Sequence, residues 1–324
     1  MTSRAAPVGP PPFDQQVETG GYAWWYLDAI SDNGEYGLTL IAFIGSVFSP
    51  YYAWSRASGR NNPLNHCAIN LALYGPGGRW CMTERDEPAV HRQDHTFRVG
   101  PSALHWNGGT LEIDVDEWSF PWLRRVQGRL RVTPTLSVGS TIGLDPDERH
   151  LWTPVWPECR VDVDLDHPEW RWSGAAYFDH NTGPEPLEEA FESWFWLRAH
   201  TAKGPVVLYD TRLRDGSEHH RALRFGPGAA TERLSAPERV DLPRGLWGVN
   251  RPTRSEGGEA RLIRRWEDTP FYTRSLVETR LMDEVAIAVH ESLSLNRFSS
   301  PIVRLMLPFR MPRRTSRPRK GRRS

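Results

Sequence analysis

The feature that most limits what this chain can fold into is its succession of short apolar runs cut by turn residues. YAWWYLDAI stops at the turn Ser31-Asp32-Asn33-Gly34, YGLTLIAFIG follows, and CAINLALYG stops at Pro76-Gly77-Gly78 before RWCMTE. LHWNGGTLEIDVDEW and RVQGRLRVTP continue the series. Runs of this length and spacing, rich in β-branched and aromatic residues, read as antiparallel strands of a barrel or sandwich. After the polar stretch NTGPEPLEEA a second series begins, with SWFWLRAH, GPVVLYDTRL, HHRALRFG, EARLIRRWED, SLVETRLM and VAIAVHESLSLN. Helical periodicity is scarce, and no fixed short repeat points to a propeller or solenoid. A chain of 324 residues exceeds what one compact core usually holds. The expectation is therefore an all-β chain with two consecutive antiparallel barrel or sandwich domains, 17–185 and 186–309. A Pro-rich unstructured segment, 1–16, precedes them, and a basic disordered tail, 310–324, follows.

Forty Lys and Arg balance forty Asp and Glu, so net charge gives no argument for a nucleic-acid partner. The balance hides an asymmetry: from Arg310 onward the chain reads RMPRRTSRPRKGRRS, without one acid. Such a tail either is drawn to an anionic membrane surface or to nucleic acid, with about 1 kcal/mol per basic residue near lipid, or serves only to keep the chain in solution. Three scattered cysteines, Cys67, Cys81 and Cys159, form no disulfide framework and suit a reducing, cytoplasmic compartment. No run approaches the ~18 apolar residues of a spanning helix, and no signal-peptide core is visible. Tryptophan, ordinarily the rarest aromatic, outnumbers both Phe and Tyr at 15 against 12 and 9, which suits a cavity for a long apolar or π-rich ligand.

There is no GxGxxG, GxxxxGK[ST] or GxSxG, so nucleotide chemistry and the commonest hydrolase arrangement lack support. His91 and His95 in HRQDH have ligand spacing for a helix but sit in loop and strand, and no metal is expected there. In VDVDLD, Asp162, Asp164 and Asp166 alternate with apolar residues and fall on one solvated outer face.

Two segments stand out, RHLWTPVWPECR and RWSGAAYFDHNTGPEP. His150 and Trp152 are two apart and share a strand face, with Trp156 beyond a proline; Tyr177 and Asp179 are likewise two apart. Each pair joins an ionisable group to an aromatic one, and both pairs could line one cavity wall, with Phe178 beside them. Trp24, Trp25, Tyr26 and Asp28 form a further cluster, in which only one of the two adjacent tryptophans can face a cavity. In RWEDTPFYTRS, Asp268 sits at a turn and reads either as a capping or exposed residue or as a catalytic one.

These residues also carry a resemblance. GYAWWYLDAISDNGEYGLTLIAFIGSVFSPYY, HCAINLALYGP, MTER, GPSALHW, RWSGAAYFDHNTGPEPLE and WEDTPFYTRS, in this order, resemble the bacterial carotenoid 1,2-hydratases, also called hydroxyneurosporene synthases. The likeness runs from about Gly21 to Pro312. It implies two lipocalin-like β-domains, no metal or organic cofactor, and membrane-associated conversion of the terminal C1–C2 alkene of an acyclic carotenoid into a tertiary alcohol. It implies roles for His150, Trp152, Tyr177 and Asp179, and peripheral attachment to the inner or intracytoplasmic membrane. Trp25, Tyr26, Trp156 and Phe178 are the residues expected along the substrate.

Hydration of an alkene begins with its protonation. An Asp with a pKa near 4 is only about 0.1 % protonated at neutral pH, which withholds about 4 kcal/mol of barrier reduction. Burial of Asp179 among aromatics is the expected remedy, with Trp152 and Trp25 stabilising the cation and either His150 or the newly formed Asp179 carboxylate taking the water's proton. An apolar-ligand carrier on the same fold, and an isomerase or cyclase using the same cation, are the alternatives.

Overall fold

The structure, a computed structural model, describes residues 9–316. Antiparallel strands dominate it, and the chain divides into two compact units. One comprises Pro10–Pro134, Cys159–Pro184 and the chain from Leu307; the other comprises Thr135–Glu158 and Glu185–Met306.

In the first unit the strand order is Trp80–Met82, Ala68–Tyr74, Gly37–Ile44, Tyr22–Ser31, Trp170–Gly183, Leu151–His167, Arg125–Leu136, Thr110–Trp118, Ser102–Asn107, Thr96–Val99 and Val90–Gln93. Its two end strands, Trp80–Met82 and Val90–Gln93, do not pair with each other, which leaves the sheet open. Alternation explains its faces. Leu111, Ile113 and Val115 point inward from Thr110–Trp118, and so does Glu117, whose carboxylate is met by the Arg85 guanidinium at 3.0 Å. In VDVDLD, Val161, Val163 and Leu165 are buried while the three aspartates are exposed, as their spacing requires. One helix, Pro50–Ala57, begins at Ser49, whose side chain accepts from the Tyr52 N–H; a Ser-Pro start of this kind is a capping signal that strand periodicity does not reveal.

The second unit carries a seven-stranded sheet, ordered Ala230–Arg233, Glu218–Gly226, Gly204–Leu213, Phe191–Thr201, Glu284–Ser294, Tyr272–Leu281 and Ala260–Asp268. Its apolar core gathers Leu197, Val206, Leu208, Val277 and Ala288. Arg239–Leu242 and Arg251–Arg254 pair separately.

The all-β, lipocalin-like expectation agrees with this architecture, but the structure does not present two consecutive closed barrels. The chain does change units at Pro184/Glu185, near the expected 185/186 boundary. It also changes within the 17-residue strand Leu151–His167, whose first half belongs with the later unit. The expected terminal segments are corrected as well. Phe13 is fully buried, its ring 4.9 Å from Trp25 and 5.0 Å from Trp106, and Arg92 donates to the carbonyls of Phe13 and Gln15. One aromatic ring suffices to tie down a Pro-rich segment when a pocket awaits it. Arg313–Arg314 pairs in parallel with Glu84–Arg85, and Arg313 meets the buried Glu84 carboxylate, which needs a cation. Residues 1–8 and 317–324 of the two expected segments lie outside the described residues.

Candidate active site

Tyr177, Asp179 and Asn181 alternate along Trp170–Gly183 and share one face. The Tyr177 hydroxyl donates to Oδ2 of Asp179 at 2.8 Å, and the Asn181 amide donates to Oδ1 at 2.9 Å. All three are buried. The neighbouring strand Tyr22–Ser31 places Tyr26 opposite Asp179, Trp24 opposite Asn181 and Asp28 opposite Tyr177. Rings gather on the carboxyl's face of the sheet: Tyr26 lies 6.3 Å from Tyr177, Trp24 stacks on Tyr22 at 4.8 Å, and Phe43 meets Trp24 edge-on at 6.1 Å.

The same register places two of the expected residues away from that carboxyl. Trp25 pairs with His180 and Leu27 with Phe178, so Trp25 and Phe178 point to the face opposite Asp179. There they pack with Phe13, Phe97 and Trp106. His180 belongs to this apolar layer, its ring 5.0 Å from Trp25, and burial pushes its pKa down to about 3. Gln15 donates to it. Of the adjacent tryptophans, Trp24 is the one that faces the acid.

In the other unit, His150 stands one residue before the strand Leu151–His167 and is fully buried. Its backbone is fixed on both sides: its N–H donates to Asp145 Oδ1 at 2.8 Å, and its carbonyl accepts from the Leu144 N–H at 2.7 Å. Nε2 lies 3.5 Å from Glu185, and the ring meets Phe191 edge-on at 4.8 Å. Burial lowers the imidazole's pKa, opposed by Asp145 and Glu185. Trp152 is also fully buried, 5.5 Å from Tyr209, and Trp156 is buried four residues on. The two pairs picked out by spacing thus fall in different units, each with its own partners.

Sequence reasoning missed Asn181 and Glu185. The signal for Asn181 was present, since the two-residue period that links Tyr177 to Asp179 reaches it next. Glu185 had none, because only the fold carries it to His150. Asp268, expected at a turn, instead ends the strand Ala260–Asp268 with its side chain almost buried; it accepts from the Leu246 N–H at 2.7 Å and lies 3.4 Å from Arg251. His91 and His95 are both exposed. No group of three or more potential metal ligands occurs among the described residues.

A buried carboxyl gripped at both oxygens beside aromatic side chains, on a lipocalin-like β scaffold, has the chemistry to move a proton next to an apolar group. The family model described as carotenoid hydratase CrtC matches residues 40–320, and the chain belongs to that family. It is 54% identical over 310 residues, 95% of this chain and 76% of the relative, to the acyclic carotenoid 1,2-hydratase of Thiocapsa roseopersicina. It is 41% identical to that of Cereibacter sphaeroides, over 85% of this chain and 98% of the relative. Among solved structures, an AttH-like protein of Nitrosomonas europaea shares the fold at a TM-score of 0.58 and 13% identity, covering 84% of this chain and 92% of its own.

Proposed function

We propose that this chain adds water across the terminal C1–C2 double bond of an acyclic carotenoid, with Asp179 as the proton donor. The observation that carries the reading is the two-sided grip on Asp179. Asn181 can only donate through its Nδ2, so Oδ1 is committed as an acceptor. A transferable proton then belongs on Oδ2, beside a Tyr177 hydroxyl that turns to donate or accept as the carboxyl changes state. Delivery of that proton to C2 leaves a tertiary cation at C1. Aromatic faces stabilise such a cation without trapping it, by about 0.5–2 kcal/mol each in a desolvated site. Tyr26 and Trp24, on the acid's face, are assigned this part. Water captures C1, and the carboxylate left on Asp179 takes the water's proton, which restores the acid. The scheme consumes only carotenoid and water.

A substrate dissolved in lipid places the enzyme at the cytoplasmic face of the inner or intracytoplasmic membrane. No helix among the described residues is long and apolar enough to cross it, which supports peripheral attachment. The basic residues after Arg310 support the same placement through attraction to anionic lipid.

The test is turnover of neurosporene or lycopene in ¹⁸O-labelled water, with mass spectrometry of the product. The expected result is a labelled tertiary alcohol, reduced by about 10²- to 10⁴-fold in a folded Asp179→Asn variant. Recovery of unchanged bound carotenoid would make the chain a carrier, an unlabelled rearranged product would make it an isomerase or cyclase, and full activity in the variant would remove Asp179 as the acid.

A further inference from the structure

Loop tips on soluble domains are ordinarily polar, and tryptophan is ordinarily well buried. The hairpin that joins Thr110–Trp118 to Arg125–Leu136 breaks both habits. Its tip reads Trp118-Ser119-Phe120-Pro121-Trp122-Leu123-Arg124, with Trp118 40 % exposed, Trp122 75 % and Leu123 65 %. The tip is a built structure. The Ser119 N–H donates to the Arg124 carbonyl at 2.8 Å, the Arg124 N–H to the Trp122 carbonyl at 2.6 Å, and the Ser119 hydroxyl to the same Trp122 carbonyl. Closed on itself in this way, it holds two large apolar side chains outward.

Its charge is one-sided. No acidic residue occurs from Trp118 to Arg125. Asp116 engages Arg125 through two bonds of 3.0 Å, which neutralises that guanidinium alone. Arg124 has no carboxylate partner among the described residues, and neither has Arg79, which reaches the hairpin by donating to the Arg125 carbonyl. Arg310 adds a guanidinium 4.5 Å over the ring of Trp80, the residue after Arg79, and beside it Phe309 is 77 % exposed.

We propose that this hairpin is a membrane-docking element, seating Trp118, Trp122 and Leu123 in the headgroup layer of an anionic bilayer while Arg79 and Arg124 meet lipid phosphates. Indole rings favour that layer because it offers apolar contact to the ring and water to the N–H. Guanidiniums match phosphate oxygens. A protein partner would meet these side chains with a groove and would need carboxylates to answer two arginines; a lipid surface supplies both requirements to a projecting tip. The element is independent of the residues after Ser316 and of the hydratase reading, although a lipid-dissolved substrate gives it a use.

The experiment is flotation of the full chain with vesicles of phosphatidylcholine alone or mixed with phosphatidylglycerol. The wild type is expected to float with the mixed vesicles, less so as salt rises. A Trp122→Ser/Leu123→Ser variant is expected to bind at least about tenfold more weakly, and Arg124→Glu to lose most of the preference for phosphatidylglycerol. Undiminished flotation of the double variant would overturn the proposal. So would a wild type that floats with neither vesicle while the double variant changes the particle's mass in sedimentation, since the tip would then join copies of the chain. Turnover of detergent-dispersed carotenoid keeps the two readings apart. The double variant should retain it, whereas its absence in the wild type would sink the hydratase reading and leave the flotation result standing.

Discussion

Asp179 accepts from Tyr177 at 2.8 Å and from Asn181 at 2.9 Å, and these two neighbours do different work. Tyr177 can reverse its hydroxyl, so it serves the carboxyl in either protonation state. Asn181 presents a fixed donor and orients the carboxyl plane. Removing it should leave substrate binding intact while the acid loses its aim. We expect Asn181→Ala to lower kcat about 10- to 100-fold with KM changed little, and Tyr177→Phe to act in the same range. Steady-state kinetics on folded variants would check this. A loss confined to KM, or to thermal stability with kcat intact, would remove Asn181 from the positioning role.

Between strands, register decides which side chains meet, and this is where legibility in the sequence stops. Tyr177 with Asp179, and His150 with Trp152, could be found by counting in twos, as could the outward aspartates of VDVDLD. The choice between Trp24 and Trp25 could not, because it depends on Tyr26 pairing with Asp179, a fact of two strands about 150 residues apart. The face that Phe178 takes was hidden for the same reason. The interleaved units were hidden as well, since nothing local marks a strand that changes units at Glu158. A glycine guards the decisive register. Gly174 lies opposite Ser31, and a Cβ built there would come 2.0 Å from the Ile30 carbonyl oxygen and 2.8 Å from Ser31 Cα. Gly174→Ala must therefore push the two strands apart. It should cost about 1–3 kcal/mol in urea unfolding, and activity should fall with it, because the same pairing aligns Tyr26 with Asp179. An unchanged urea midpoint would show that the strands part here without strain.

Over the whole molecule, each unit encloses a histidine that burial holds neutral: His180 at about 3 in one and His290 at about 4 in the other. His180 faces Trp25 and Gln15. His290 donates through Nε2 to the Pro252 carbonyl at 2.8 Å and feels Arg251, a further push toward neutrality. Unfolding releases both to the ordinary value near 6.5, so the unfolded chain binds more protons below that pH. Their contribution is complete above pH 6.5 and is lost as pH falls toward their folded values. At pH 5 each should have cost about 2 kcal/mol. Glu117 works the other way. Burial raises its pKa against the pull of Arg85, so the folded state gains its proton first on acidification and offsets part of the loss. Burial raises Asp210 likewise, while His66, pushed down to about 3, and His150, also lowered, add to the histidines' side, so net destabilisation is expected between pH 8 and pH 5. Urea unfolding followed by tryptophan fluorescence would measure it, with His180→Gln as the internal comparison. That variant starts from its own stability at pH 8 but should lose about 2 kcal/mol less than the wild type on reaching pH 5. Equal losses in both proteins would mean that His180 is already protonated in the folded state, and that its side of the sheet admits water.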